Sequence, residues 1–296
     1  MTRSLRDWDA HHLRLDRNII ALDNFYPAWG LELRCQAQLK SPFLIMNIAC
    51  LFDGAGLARL GLEQAGHTVT GVELDPWKHY LSQYVGSGNS ILADVTKVDL
   101  GSFDAVWASP PCQLRSSART QGAPISSFAQ DFLNWSLSLP HDVLWVENIC
   151  SQKNSNNLWG QRWNLGMLDP QDPPRQSRNR IIGGRYLDPE PYRPYRKWYP
   201  GVCPCITASE VKGCASDKRR ASRFYGRRLT VDECAYHQGF EIPDEWRAIP
   251  SNFTKAGWNR QLVESIGNSV PVWASKAFGE AYNMSITPGT RPGACV

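Results

Sequence analysis

Leu44-Ile45-Met46-Asn47-Ile48-Ala49-Cys50-Leu51-Phe52-Asp53-Gly54-Ala55-Gly56 is the stretch from which the fold can be read. Its first part is a near-continuous apolar run, the pattern of a strand buried on both faces of a parallel sheet. The run passes straight into glycines. Glycine at a strand-to-helix junction lets the backbone approach a ligand closely, and a helix beginning near Leu57 points its free N–H groups there. A phosphate-binding loop is one reading, but the full G-x-G-x-x-G pattern fails and no Gly-Lys-Ser/Thr follows. The amphipathic run 57–65 stops at Gly66 as at a helix C-cap, and residues 67–73 read as a second strand ending in the acid Glu73. A carboxylate about twenty residues past a glycine loop suits hydrogen bonds to both hydroxyls of a ribose.

Outward from that core, a third unit ends at Ala93-Asp94-Val95, which places another acid where an adenine amino group would lie. An adenosine-containing cofactor in an open α/β sheet follows, with dinucleotide and S-adenosylmethionine both open at this point. The fourth strand, Phe103-Asp104-Ala105-Val106-Trp107-Ala108, leads into Ser109-Pro110-Pro111-Cys112-Gln113. Two prolines stiffen this turn, and the C-terminal end of a strand is where such a sheet places its chemistry. Cysteine attacks as thiolate, so the site needs partners that favour the anion. A nucleophilic cysteine beside the cofactor argues for methyl transfer over hydride transfer. Residues 114–127, rich in Ser, Arg, Gly and Pro, read as a loop able to close over a substrate. A helix near 128–139 precedes the strand Val143-Leu144-Trp145-Val146, which ends in Glu147-Asn148. Gln176-Ser177-Arg178-Asn179-Arg180 then opens the strand Ile181-Ile182, and alternation puts Gln176, Arg178 and Arg180 on one face.

The chain of 296 residues suits one large domain plus a small one. A net charge of +4 permits a polyanionic partner, and Arg and Lys concentrate between 175 and 228, where a basic groove can be built. Nine scattered Cys, no signal peptide at the start and no long apolar run point to a reducing, cytoplasmic setting and no membrane. Cys203-Pro204-Cys205 with Cys214 lacks the two-by-two spacing of a zinc site, so no metal is expected.

Taken in order, these residues resemble the cytosine-5 DNA methyltransferase family across nearly all of 45–283. The motifs that carry the resemblance are Phe52-Asp53-Gly54-Ala55-Gly56, Glu73, Asp94, Pro111-Cys112-Gln113 with Ser116, Glu147-Asn148-Ile149 and Gln176-Ser177-Arg178-Asn179-Arg180. Arg228-Leu229-Thr230-Val231-Asp232-Glu233-Cys234 leading to Gln238-Gly239-Phe240 looks like the family's ninth motif, and Gly267-Asn268-Ser269-Val270-Pro271 like its tenth.

The resemblance implies an α/β fold: a Rossmann-like S-adenosylmethionine-dependent methyltransferase sheet with a small inserted target-recognition domain. An N-terminal extension (1–43) would precede the catalytic and cofactor-binding domain (44–185). A small target-recognition domain (186–255), a C-terminal segment returning to the catalytic domain (256–285) and a tail (286–296) would follow. S-adenosyl-L-methionine would be held by Phe52, Asp53, Gly54, Ala55, Gly56, Leu57, Glu73, Leu74, Asp94, Val95, Pro111, Asn268, Ser269 and Val270. Cys112, Glu147, Arg178 and Arg180 form the implied catalytic set. Cys112 would add to C6 of cytosine, a protonated Glu147 would stabilise charge on the ring, Arg180 would hold O2, and Arg178 would help fix Cys112 and the phosphate geometry. The target base must leave the stack, at a cost of roughly a few kcal/mol.

Double-stranded DNA is the implied partner, with contacts from Gln113, Ser116, Arg119, Lys212, Lys218, Arg219, Arg220 and Arg223. A bacterial or phage setting fits the pattern, while whether a restriction endonuclease partner exists and the oligomeric state both stay open. Fewer than fifty residues separate Arg180 from Arg227, less than many bacterial members carry, so a short target of about two to four base pairs is expected. Cys203-Pro204-Cys205-Ile206-Thr207 with its basic continuation is similar to the de novo type of animal enzymes and to short phage or orphan bacterial members. An RNA-modifying branch of the family usually carries a Cys-Phe-Thr signature absent here, catalytically silent homologues lose the nucleophile or the acid, and an NAD-dependent oxidoreductase is the more distant alternative.

Overall fold

The computed structural model describes residues 45–112, 128–149, 159–171, 174–189, 202–208, 210 and 224–285. The apolar run at the start becomes β1 (Asn47–Leu51), and the glycine loop leads into α1 (Leu57–Gln64). Then follow β2 (Thr68–Glu73), α2 (Pro76–Ser82), β3 (Ser90–Leu92), β4 (Ala105–Ala108), α3 (Phe128–Ser138) and β5 (Val143–Ile149). β6 (Gly160–Asn164), β7 (Asn179–Arg185), α4 (Val231–Tyr236), α5 (Asp244–Arg247), α6 (Lys255–Asn268) and α7 (Val272–Ser285) complete the order.

Among the described residues the strands form one sheet in the order β3-β2-β1-β4-β5-β7-β6. The pairs from β3 to β5 are parallel, and β7 runs antiparallel to both of its neighbours. This is the Rossmann-like sheet that the resemblance implies. Strand order reverses between β1 and β4, which opens a crevice at their C-terminal ends. The glycine loop and the Cys112 turn leave the sheet on the two sides of that reversal.

Burial on both faces of β1 explains its unbroken apolar run. Ile48 and Cys50 join a core with Trp107, Trp145 and, from α7, Ala274 and Phe278. Ala49 and Leu51 point the other way, into a core with Val106, Leu144, Val146 and Leu133 of α3. On the first face α1 packs tightly on α7, because Gly61 has no side chain: a Cβ there would lie 2.1 Å from Ser275 Oγ and 2.2 Å from the Val272 carbonyl. β6 was not anticipated. Its sequence Gly-Gln-Arg-Trp-Asn has no alternation or β-branched residues, and the strand exists through its pairing with β7.

A third core joins Leu57 and Leu81 to Cys203, Ile206, Cys234, Trp246, Trp258 and Ile266. The described part of 186–255, expected as a small inserted domain, therefore shares a core with α1, α2 and α6. The N-terminal extension, the loop after Cys112, residues 211–223 and the tail lie outside the described residues. Within the described residues, no helix is long and apolar enough to cross a membrane.

Candidate active site

Cys112 is placed by hydrogen bonds around a turn whose two prolines have no N–H to donate. Trp107 Nε1 donates to Ser109 Oγ at 3.1 Å, the Ser109 amide donates to the Leu51 carbonyl at 3.3 Å, and Asn148 Nδ2 donates to the Pro110 carbonyl at 3.0 Å. Asn148 thus ties the cysteine turn to the end of β5, one residue from Glu147. Because β7 runs antiparallel to β5, Arg180 at its beginning pairs with Ile149 at the end of β5. From there Arg180 Nε reaches Glu147 Oε1 at 2.8 Å, with both side chains mostly buried. Glu147 of β5 and Arg180 of β7 thus pair at one sheet edge, where their charges act on Cys112 in the turn after β4.

Burial pushes the Cys112 thiol up, Arg180 pulls it down, Glu147 pushes it up and Arg178 pulls it down; the balance lies above the ordinary cysteine value. The anion-favouring partner expected from the sequence is present, yet desolvation outweighs it in the free protein and favours the protonated form of Cys112.

The expected line of three donors does not hold. Regular strand begins only at Asn179, so alternation does not extend back to Gln176 and Arg178. Gln176 is fully buried; its Nε2 donates to the His237 carbonyl and to Gln238 Oε1, and its Oε1 accepts from the Ile206 amide. Arg178 is 1% exposed, with Nη1 donating to the Ile206 carbonyl at 2.7 Å and Nη2 to the carbonyls of Gly267 and Ser269 at 3.2 and 2.7 Å. It acts on Cys112 through its charge, while its hydrogen bonds clamp 205–206 to 267–269, where α6 ends. Gly267 makes that clamp possible, since a Cβ there would lie 2.3 Å from the Thr207 carbonyl carbon.

Across the strand-order reversal, the expected cofactor loop holds unusual backbone. Phe52 (φ 58°) is the non-glycine residue with positive φ among those described, and Gly54 and Gly56 take 60° and 86°. Glu73 orders this loop: Oε2 accepts from the Gly54 amide at 2.8 Å, and Oε1 from the amides of Leu74 and Asp75 at 2.9 and 2.8 Å. Asp94 accepts from the amide and hydroxyl of Thr96, which hold its carboxyl below the usual carboxylate range. Asp53 turns inward to Arg59 at 3.2 Å, so it can serve a ligand only through its backbone. The side chains of Ala55, Leu57, Val95 and Val270 are likewise buried, whereas Leu74 is 63% exposed and Asn268 and Ser269 reach the surface.

An adenosine group fits this donor set: strand-end acids Glu73 and Asp94, an exposed apolar Leu74, and a Gly54 whose Cβ position has no atom nearer than the Phe52 carbonyl oxygen at 4.0 Å. Gln113, Ser116, Arg119, Lys212, Lys218, Arg219, Arg220 and Arg223 lie outside the described residues.

The sequence reading missed three contributors. Arg59, a lone charge within Leu57-Ala58-Arg59-Leu60-Gly61-Leu62, is fully buried, and that isolation in an apolar helix was the available signal. Asn148 stood in a quoted motif without a role. Cys205 was weighed as a metal ligand and as part of a quoted segment, without a role at the site, and its sulfur lies 3.2 Å from Arg178 Nη1.

A family model described as C-5 cytosine-specific DNA methylase matches residues 46–124 and 141–283. Among solved structures, the Dnmt2 methyltransferase of S. pombe is similar at a TM-score of 0.51 and 14% identity, covering 82% of this chain and 99% of that one. The Entamoeba histolytica methyltransferase EhMeth is similar at 0.51 and 13% identity, over 81% of this chain and 99% of that one. Identities this low bear on the fold alone. No curated protein matches the sequence.

Proposed function

This chain belongs to the C-5 cytosine-specific DNA methylase family, and from that premise we propose that it methylates C5 of a flipped-out cytosine in double-stranded DNA through a covalent Cys112 adduct. The observation that carries this reading is the pairing of Glu147 and Arg180 at one sheet edge, where their charges act on Cys112, with Arg180 Nε 2.8 Å from Glu147 Oε1.

Cytosine is a weak nucleophile at C5. Bond formation between the Cys112 sulfur and C6 consumes the C5–C6 double bond and concentrates electron density at C5. Glu147, carrying a proton toward N3, and Arg180, donating toward O2, stabilise the negative charge spread over the ring. S-adenosylmethionine, when bound, supplies an electrophilic methyl group. Glu73 and Asp94, the exposed Leu74 and the backbone of 52–57 would hold it. Loss of the C5 proton to a base then restores the double bond as the carbon–sulfur bond breaks, returning the Cys112 thiolate. Because C6 is approached from above the ring plane, the base must leave the duplex stack.

Expression in cells without cytosine methylation, followed by modification-resolved sequencing of plasmid DNA and bulk RNA, tests the reading. We expect 5-methylcytosine in DNA within a short context of about two to four base pairs. Modification confined to RNA would replace the DNA substrate, and a fully specified longer site would overturn the short target.

Glu73→Ala tests the cofactor placement and has two expected effects. Loss of a charge-assisted hydrogen bond to the ribose costs about 1.5–3 kcal/mol, roughly 10- to 100-fold in S-adenosylmethionine affinity by calorimetry. The amides of Gly54, Leu74 and Asp75 also lose their acceptor, so urea denaturation should show lower stability. Unchanged affinity would remove Glu73 from the ribose.

A further inference from the structure

Trp107 of β4 is completely buried, wedged between Trp145 of β5 and Phe278 of α7 at ring-centroid distances of 5.9 and 6.0 Å. Trp107 and Trp145 sit opposite each other in the strand register, yet their indole N–H groups differ. Among the described residues Trp145 Nε1 has no hydrogen-bond partner, whereas Trp107 Nε1 donates to Ser109 Oγ at 3.1 Å. The core thus accommodates an unbonded indole, and the bond to Ser109 is a feature of the cysteine turn rather than a requirement of packing. Ser109 lies two residues beyond Trp107, so strand alternation brings its hydroxyl to the face that the indole occupies. Its amide, on the Leu51 carbonyl at 3.3 Å, carries the pairing of β1 with β4 one step past Ala108.

We propose that Trp107 is a positioning residue for the nucleophile: its packed indole fixes Ser109, and Ser109 in turn aims the Pro110-Pro111-Cys112 arm. Few torsions stay free along that arm. Ser109 and Pro110 each precede a proline, which restricts them to extended backbone, and both prolines have φ fixed by their rings. A stiff arm transmits a rotation at its base to its tip: over three residues, a length of up to about 10 Å, a turn of roughly 10° at Ser109 displaces Cys112 by about 1–2 Å. Misplacement of a reacting group by about 1 Å can cost ~100-fold in rate. Asn148 holds the arm a second time, at the Pro110 carbonyl. Loss of the Ser109 contact therefore lets the arm pivot without freeing it, and the expected loss is about 10-fold. The kinetic consequence rests on the methyltransferase reading, whereas the placement of Cys112 is a property of the free protein.

Trp107→Phe and Ser109→Ala each remove the bond, and Trp145→Phe removes an indole N–H of the same core that bonds nothing. In single-turnover methylation of DNA by the full-length protein, the first two should slow the step about 10-fold while S-adenosylmethionine and DNA affinities stay within about twofold of the wild type. Their combination should be no slower than either alone, because both act through one contact. Trp145→Phe should keep the wild-type rate. Limiting iodoacetamide with peptide mass spectrometry reads the same contact without any substrate. Burial is what most disfavours the Cys112 anion, so a displaced arm should expose the thiol and speed its alkylation about threefold or more. Cys50, Cys203 and Cys234, free and buried in the cores, should keep their wild-type rates and so report that the fold is intact. An unchanged Cys112 alkylation rate in Ser109→Ala, an equal gain in Trp145→Phe, or an additive loss in the double variant overturns the proposal. Ser109→Ala decides by itself if Trp107→Phe fails to fold. A protein that shows the alkylation pattern and methylates no DNA would refute the functional reading and leave this one standing.

Discussion

Cys112→Ser is expected to stop methyl transfer while leaving S-adenosylmethionine affinity near that of the wild type. A serine hydroxyl ionises far less readily than a thiol and forms the ring adduct correspondingly slowly, so the loss should reach about 10⁴-fold or more, as for other deleted covalent nucleophiles. The fold should survive, because the turn is held by Asn148 on the Pro110 carbonyl and by Trp107 on Ser109. Neither bond uses the Cys112 side chain. Single-turnover assays with labelled methyl donor measure the loss, and calorimetry measures the retained affinity. The wild type should also form an adduct with 5-fluorocytosine DNA that survives denaturation, since fluorine cannot leave C5 as a proton does. Near-normal turnover by the serine variant removes the covalent route. Absence of the adduct, where ordinary DNA is methylated, points to another atom or base.

The largest stability effect should come from Arg59→Ala. This guanidinium is completely buried, with Nε on Asp53 at 3.2 Å, Nη1 on Glu63 at 3.1 Å and on the Val85 carbonyl at 3.0 Å, and Nη2 on the Ser82 carbonyl at 2.6 Å. Truncation leaves a buried carboxyl and two carbonyls without their donor, and breaking a buried pair on one side costs about 3–5 kcal/mol. Chemical denaturation at neutral pH measures it. Burial pushes Asp53 up to about 6, with Arg59 pulling the other way, so removal of Arg59 raises it further. A carboxyl whose folded value is raised contributes stability at low pH that is lost as pH rises through that value. The deficit of Arg59→Ala should therefore be smaller near pH 5 than near pH 7.5, under conditions set by the Asp53 value. A pH-independent deficit would mean that the lost carbonyl contacts, rather than the stranded carboxyl, dominate. Because Asp53 lies in the glycine loop, the variant should also bind S-adenosylmethionine less well.

Much of the site was visible before any tertiary structure. The apolar run that became β1 and the glycines after it are local signals, and so is the strand that delivers Cys112. Glu147 at the end of β5 follows from the same logic, because a parallel strand's last residues face the crevice. Less was legible where a residue's role depends on a distant partner. Arg178 and Arg180 look equivalent in Gln176-Ser177-Arg178-Asn179-Arg180, yet one clamps backbone 28 and 89 residues away while the other pairs with Glu147. Glu73 was read as a ribose ligand, and it also holds the glycine loop through the Gly54 amide.

By itself the sequence determined the alternation of strands and helices, the glycine loop, and the strand ends that carry Cys112 and Glu147, because periodicity and turn chemistry act between neighbours along the chain. Tertiary structure alone decided that Arg59 supports the loop from beneath, that Arg178 is a brace, and that Cys205 stands beside Arg180. The reason is that a buried guanidinium must satisfy its donors with whichever carbonyls, carboxylates and sulfurs packing brings within reach, and those come from segments that no local pattern relates.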